Sequence, residues 1–116
     1  MPKGHGETFY VLRYEQGQEY KAHTDWFAPA PEGLGFLGTA GNRVATVITY
    51  LSEVEEGGET TFPEVGLRVR PRKGDAVLFW NRTPDFVLDP LALHSSLPII
   101  KGTKWSITRW IRERPL

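Results

Sequence analysis

Only three histidines occur in the 116 residues, and two of them stand where they could hold a metal: His23 in His-Thr-Asp and His94 in Leu-His-Ser. Side chains alternate along an extended strand, so His23 and Asp25 project to one face and can reach a single ion. A third donor from a distant strand, His94, completes a facial set of two imidazoles and one carboxylate. Such a set leaves three neighbouring coordination positions open, which suits a non-haem Fe(II) centre that takes a cosubstrate and O2 together. There is no cysteine, so no thiolate draws the site toward zinc, and neither a disulfide nor a cysteine nucleophile is available.

The last apolar run, 103–112, adds an anion site. Lys104, Ser106, Thr108, Trp110 and Arg112 share one face, alternating with Trp105, Ile107, Arg109 and Ile111. A lysine on an interior face is costly unless it meets an anion. The distal carboxylate of 2-oxoglutarate would be such an anion, with Thr108 or Ser106 adding a hydrogen bond. Lys104 follows His94 by ten residues with a Pro/Gly break between them, which predicts consecutive antiparallel strands. Taken singly, none of these residues specifies chemistry: His-x-Asp pairs occur in surface turns, single histidines in cores, and lysines at solvated strand ends. Their joint order is the signal. His5, in a Lys-Gly-His-Gly terminus read as mobile, is assigned no role. Phe79, Trp80 and Trp105 are read as core, and Glu53–Glu59 as a solvated turn.

The elements that must position these groups are short strands. Runs rich in β-branched and aromatic residues lie at 8–14, 19–25, 43–51, 59–63, 67–70, 76–80, 91–96 and 103–112, separated by glycine and proline. Residues 43–51 carry apolar groups on both faces and are expected at the centre of a sheet. The stretch 26–42 has no period and reads as a long binding loop or lid. About eight strands with little or no helix predict an all-β jelly-roll barrel, and the length predicts a single domain over 1–116.

Lys+Arg and Asp+Glu balance at 14 each, which argues against a nucleic-acid partner or an anionic membrane surface. No apolar run approaches a membrane span and no apolar leader is seen, so a soluble chain is expected. Asn81-Arg82-Thr83 fits the glycosylation pattern; with Pro84 next to it and no leader, it is read as a chance match.

These residues lie in stretches that resemble the catalytic core of the prolyl 4-hydroxylase family. The matching segments are 13–25 (RYEQGQEYKAHTD), 42–46 (NRVAT), 50–52 (YLS), 55–63 (EEGGETTFP), 71–76 (PRKGDA), Leu93-His94, and 101–112 (KGTKWSITRWIR). The resemblance implies a double-stranded β-helix fold and an Fe(II)- and 2-oxoglutarate-dependent dioxygenase of the procollagen-proline 4-dioxygenase kind. It would hydroxylate peptidyl proline at C4 and release succinate and CO2. It implies His23, Asp25 and His94 as iron ligands, Lys104 for the distal carboxylate, and Tyr14 as a further cosubstrate contact. Tyr20, Arg43 and Trp110 match positions that grip the proline-containing peptide or shape its groove. Ascorbate is implied as the reductant that rescues over-oxidised iron. Asp25 separates the chain from related halogenases, which carry a small residue there.

Three departures accompany the resemblance. The helices and strands that relatives carry ahead of 8–14 are not matched; the insert after Pro63 is reduced to Glu64-Val65-Gly66; and Leu97 and Arg112 stand where some relatives have cysteine and histidine. The alternatives are the same chemistry on another amino-acid or small-molecule substrate, a cupin-like zinc or manganese enzyme, and a truncated, non-catalytic metal-binding jelly-roll module.

Overall fold

Short β-branched and aromatic runs interrupted by glycine and proline satisfy their backbone groups best by pairing with other strands. In the computed structural model of the chain, which describes residues 3–27, 38, 40–85 and 87–116, that is what they do. In chain order the strands are β1 (Tyr10–Tyr14), β2 (Tyr20–His23), β3 (Arg43–Tyr50), β4 (Glu56–Gly57), β5 (Thr60–Phe62), β6 (Leu67–Val69), β7 (Ala76–Trp80), β8 (His94–Ser96), β9 (Ile99–Lys101) and β10 (Lys104–Arg112). One sheet runs β1-β10-β3-β7, a second β2-β8-β5-β6, and β4 pairs with β9. All these pairings are antiparallel.

The two four-stranded sheets face each other as a jelly roll, as the sequence led us to expect. The Tyr50 hydroxyl on β3 lies 2.6 Å from the Thr60 hydroxyl on β5, and Phe79 on β7 packs edge-on against Phe62 on β5. β3 occupies the expected interior position, between β10 and β7. Among the described residues there is no α-helix, only 3₁₀ turns at Lys3–His5 and Pro90–Ala92. No helix there is long and apolar enough to cross a membrane.

Several details differ from expectation. The turn read at Glu53–Glu59 and the Pro/Gly break between His94 and Lys104 contain β4 and β9, a small ladder. The expected strand over 91–96 begins only at His94, because Asp89 caps a 3₁₀ turn by accepting from the Leu91 amide at 2.9 Å. With β9 inserted, His94 and Lys104 are not on consecutive strands; β8 and β10 belong to opposite sheets and face one another across the barrel. Trp80 and Trp105 are not core: they are 53% and 41% exposed on the outer face of the first sheet. Only Phe79 of that trio turns inward. Glu59 is half-buried rather than solvated.

The N-terminal segment read as mobile is tied down. Gly6 bridges to Ile111, the Glu7 amide donates to the Trp110 carbonyl at 2.8 Å, and His5 Nδ1 lies 3.2 Å from the Arg112 carbonyl. Residues 28–37 and 39 of the stretch read as a long loop lie outside the described residues.

The barrel interior is polar. Alternation along β10 buries Lys104, Ser106, Thr108 and Arg112, while Thr60, Ser96 and His94 are buried on the opposite sheet. Polar groups this deep need partners, and those partners gather in one site.

Candidate metal centre

His23 ends β2, and Asp25 follows two residues later, just beyond the strand. β2 pairs with β8 so that His23 stands directly opposite His94. This register, rather than strand alternation alone, gathers the three residues. Their candidate donor atoms all lie within 4.8 Å of one another, and the His23 and His94 Nε2 atoms are each 3.4 Å from Asp25 Oδ1.

The other nitrogen of each ring is already committed. His23 Nδ1 lies 2.7 Å from the Lys21 carbonyl, and His94 Nδ1 lies 2.8 Å from the Ala92 carbonyl, which the 3₁₀ turn presents. With Nδ1 donating to a carbonyl, each ring turns Nε2 toward the common centre, where the neutral ring offers a lone pair to a metal. Phe79 and Phe62 wall the His94 ring, at centroid distances of 4.7 and 5.8 Å.

Asp25 is buried, and its two oxygens have different roles. Oδ1 faces the imidazoles, while Oδ2 accepts from the Thr46 hydroxyl at 2.8 Å and the Trp110 indole N–H at 3.0 Å. Burial alone would raise the carboxyl, but the His23 hydrogen bond, the nearby His94 ring and these two donors outweigh it and hold Asp25 below its usual range. For His94, burial dominates and pushes the ring down, toward the neutral form that can ligate. For His23, burial pulls down, but its bond to Asp25, its bond to Lys21 and the Asp25 charge carry the ring upward overall. Two imidazole nitrogens, one carboxylate oxygen and no thiolate form a donor set that fits Fe(II).

The same cleft, about 550 Å³, runs from these residues to Lys104. The Lys104 ammonium is buried and donates to the Gly58 carbonyl at 2.8 Å and the Ser96 hydroxyl at 2.9 Å. It lies over the rings of Tyr14 and Tyr50, 5.2 and 5.6 Å from their centroids. Burial pushes it down from 10.5 to about 8, with the Glu59 carboxylate pulling the other way. Tyr14 is pushed up to about 12 by burial, with Tyr20 and Tyr10 adding to the effect, so its hydroxyl keeps its proton. Thr108 lines the cleft with them.

The remaining residues singled out in the sequence line the cleft as well. Tyr20 is 48% exposed, its ring centroid 4.1 Å from that of His23. Arg43 stacks on Trp110 at 3.9 Å and makes a two-point contact with Glu7, at 2.8 and 3.1 Å. Arg112 also reaches Glu7, at 3.4 Å. Sequence reasoning missed Glu7, Thr46 and Asn81. Glu7 sits in a terminus dismissed as mobile, and Thr46 in a strand where threonine reads as β-propensity. Asn81 carried one signal, the sequon, but it is fully buried, so that pattern offers no acceptor in the folded chain.

Comparison with known proteins fits this geometry. Residues 9–112 match the 2OG-Fe(II) oxygenase superfamily. Probable prolyl 4-hydroxylase 9 of Arabidopsis thaliana is 43% identical over 129 residues, covering 98% of this chain and 43% of that protein. Probable prolyl 4-hydroxylase 10 of the same plant is 44% identical over 131 residues, covering 97% and 44%. Among solved structures, the viral collagen prolyl hydroxylase of Paramecium Bursaria Chlorella virus-1 in its 2OG complex superposes with a TM-score of 0.80 and 34% identity. That match covers 92% of this chain and 59% of the viral one. The chain spans less than half the length of these curated relatives.

Proposed function

The chain belongs to the 2OG-Fe(II) oxygenase superfamily, and from that premise we propose that it hydroxylates peptidyl proline at C4. The observation that carries the reading is a pairing within one cleft. His23, Asp25 and His94 converge at one end, and a buried ammonium waits at the other. A chelating acid with a distal carboxylate spans such a site.

When bound, Fe(II) and 2-oxoglutarate supply the O2-dependent oxidation that yields succinate and CO2 and puts one oxygen atom on the proline ring. The chain's own residues position the reactants. His23, Asp25 and His94 would hold the metal through two imidazole nitrogens and one carboxylate oxygen. Lys104 receives the distal carboxylate. Two of its three N–H bonds go to Gly58 and Ser96, which leaves one for the anion. The Tyr14 and Thr108 hydroxyls add hydrogen bonds to the same carboxylate. Tyr20 and Trp110 offer aromatic faces to a pyrrolidine ring, which is apolar and has no N–H to satisfy. Phe79 and Phe62 limit water around His94.

The test is succinate formation from 2-oxoglutarate with Fe(II) and ascorbate, with and without a proline-rich peptide, comparing wild type with His94→Ala. Peptide-dependent succinate and a mass gain of one oxygen on proline, both lost in His94→Ala, are expected. Succinate indifferent to peptide would move the substrate to a small molecule. Metal binding without succinate would reduce the chain to a non-catalytic metal-binding module.

A further inference from the structure

We propose that Thr46, Asn81 and Trp110 act as a unit of positioning residues that keeps Asp25 a one-oxygen metal ligand. The inference rests on the metal reading above and adds what sets the carboxylate's binding mode. Asp25 Oδ1 faces both imidazoles, and Oδ2 is taken by two donors, Thr46 Oγ1 and Trp110 Nε1. An oxygen that already accepts two hydrogen bonds is a poor metal donor, and the two bonds together fix the carboxylate plane. Were both oxygens to bind, one of the open positions beside the metal would be lost.

The fold brings the two donors together by register. Thr46 on β3 and Trp110 on β10 are directly opposed partners, so their side chains leave the sheet on the same face and meet at one atom. Trp110 is held from behind: Arg43 lies on its ring, and Glu7 holds Arg43. A cation on the ring face steadies the indole and makes its N–H a stronger donor.

Asn81 gives the Thr46 bond its direction. Its Nδ2 lies 2.9 Å from Thr46 Oγ1. The threonine hydroxyl has one proton to give. An amide nitrogen can only donate, so with Asn81 filling a lone pair of Oγ1, the threonine proton goes to Asp25. The opposite amide orientation would draw that proton to the asparagine oxygen and leave an Oγ1 lone pair 2.8 Å from a carboxylate. The charge on Asp25 therefore selects the orientation. Asn81 Oδ1 has no partner among the described residues, so the residue's side-chain bonding lies at its Nδ2 end. Thr46 and Asn81 are both fully buried, where water cannot substitute and the bonds are stronger.

The experiment is Co(II) titration of the whole chain, read by affinity and by the visible absorption of the bound ion, which reports coordination number. Wild type is compared with Thr46→Val, which keeps the shape and removes the proton; Thr46→Ser, which restores it; Asn81→Asp, which reverses the demand on it; and Trp110→Phe. Circular dichroism checks that each variant is folded. Thr46→Val and Asn81→Asp should weaken Co(II) binding by roughly 10- to 100-fold and alter its spectrum. Thr46→Ser should return both to wild type, and Trp110→Phe should change the spectrum in the same sense. A folded Thr46→Val with wild-type affinity and spectrum overturns the proposal; if that variant does not fold, an unchanged Trp110→Phe does so instead. A wild type that binds no Co(II) overturns the metal reading and this inference with it.

Discussion

At one end of the cleft, an ionised carboxylate and two imidazoles face a common point; at the other, an ammonium faces the space between the sheets. The two ends differ in charge, and they are built differently. At the metal end every ligand is oriented by a further contact: Ala92 and Lys21 carbonyls on the rings, Thr46 and Trp110 on Asp25. At the anion end Lys104 rests on two neutral acceptors, and the Glu59 carboxylate offsets only part of the cost of burial. On the proposed function, angular precision is concentrated where bonds to a metal would have direction, and a charge that burial disfavours where a flexible acid would be drawn in. The first end is fixed by directional contacts, and the second holds a charge that burial disfavours.

Breaking the metal end should have the largest effect. Asp25→Ala removes the only carboxylate among the gathered donors, and Co(II) or Fe(II) affinity measured by calorimetry should fall beyond the ~100-fold seen when only a supporting contact is lost. Metal affinity retained within ten-fold would mean that the metal does not bind at this end of the cleft.

Next is Lys104→Met. The lost charge-assisted bond should weaken 2-oxoglutarate binding by about 10- to 100-fold, measured as quenching of tryptophan fluorescence. The same substitution should leave the ligand-free protein at pH 7 no less stable, and a melting temperature well below wild type would contradict the account of the anion end. An unfolded lysine protonates at 10.5 and Lys104 at about 8, so the charged form is destabilised by about 3 kcal/mol. This penalty is present in full below pH 8. It is relieved as pH rises from 8 toward 10.5, where the unfolded chain binds the extra proton.

A third test uses pH alone. The distal carboxylate needs Lys104 charged, so the dissociation constant for 2-oxoglutarate should be level below pH 8. Above it, the constant should rise by up to about ten-fold per unit, and a flat profile to pH 9.5 would remove Lys104 from the contact. The smallest effect belongs to Tyr14→Phe. The hydroxyl stays protonated and contributes one neutral hydrogen bond, so a loss of roughly 2- to 10-fold in 2-oxoglutarate affinity is expected. A larger loss would place more of the binding on Tyr14 than on the ammonium.

What could be read in the sequence followed from residue types, their spacing and the segments that resemble a known family. His23, Asp25, His94 and Lys104 stood out because their types, spacing and joint order fit a metal site and an anion site, and the longer strands around them carry β-branched and aromatic runs. β4 and β9 did not, being two and three residues long amid glycine and proline, where pairing partners rather than propensity make the strand. The facing of His94 and Lys104 across the barrel was hidden by that missed ladder. Thr46 and Asn81 were invisible for another reason: a buried hydroxyl or amide announces itself only through its partners, which lie 21 and 35 residues away along the chain. Trp80 and Trp105 were misplaced because an aromatic residue on a strand gives no sign of which face is covered.

The β4–β9 ladder closes with Gly57 and Gly58 back to back at φ of 85° and 73°. A methyl group on Gly57 would come within 2.4 Å of the Pro98 carbonyl oxygen, and one on Gly58 within 2.6 Å of the Ile99 side chain. The missing side chains let the two strands close up while the Gly58 carbonyl receives Lys104. With Lys104 receiving the distal carboxylate as proposed, the ruler for the acid's length is kept partly in the backbone, outside the side-chain inventory of the pocket. Re-tooling the cleft for a shorter or longer diacid would begin at this hairpin-like clasp, with the ligand shell left untouched.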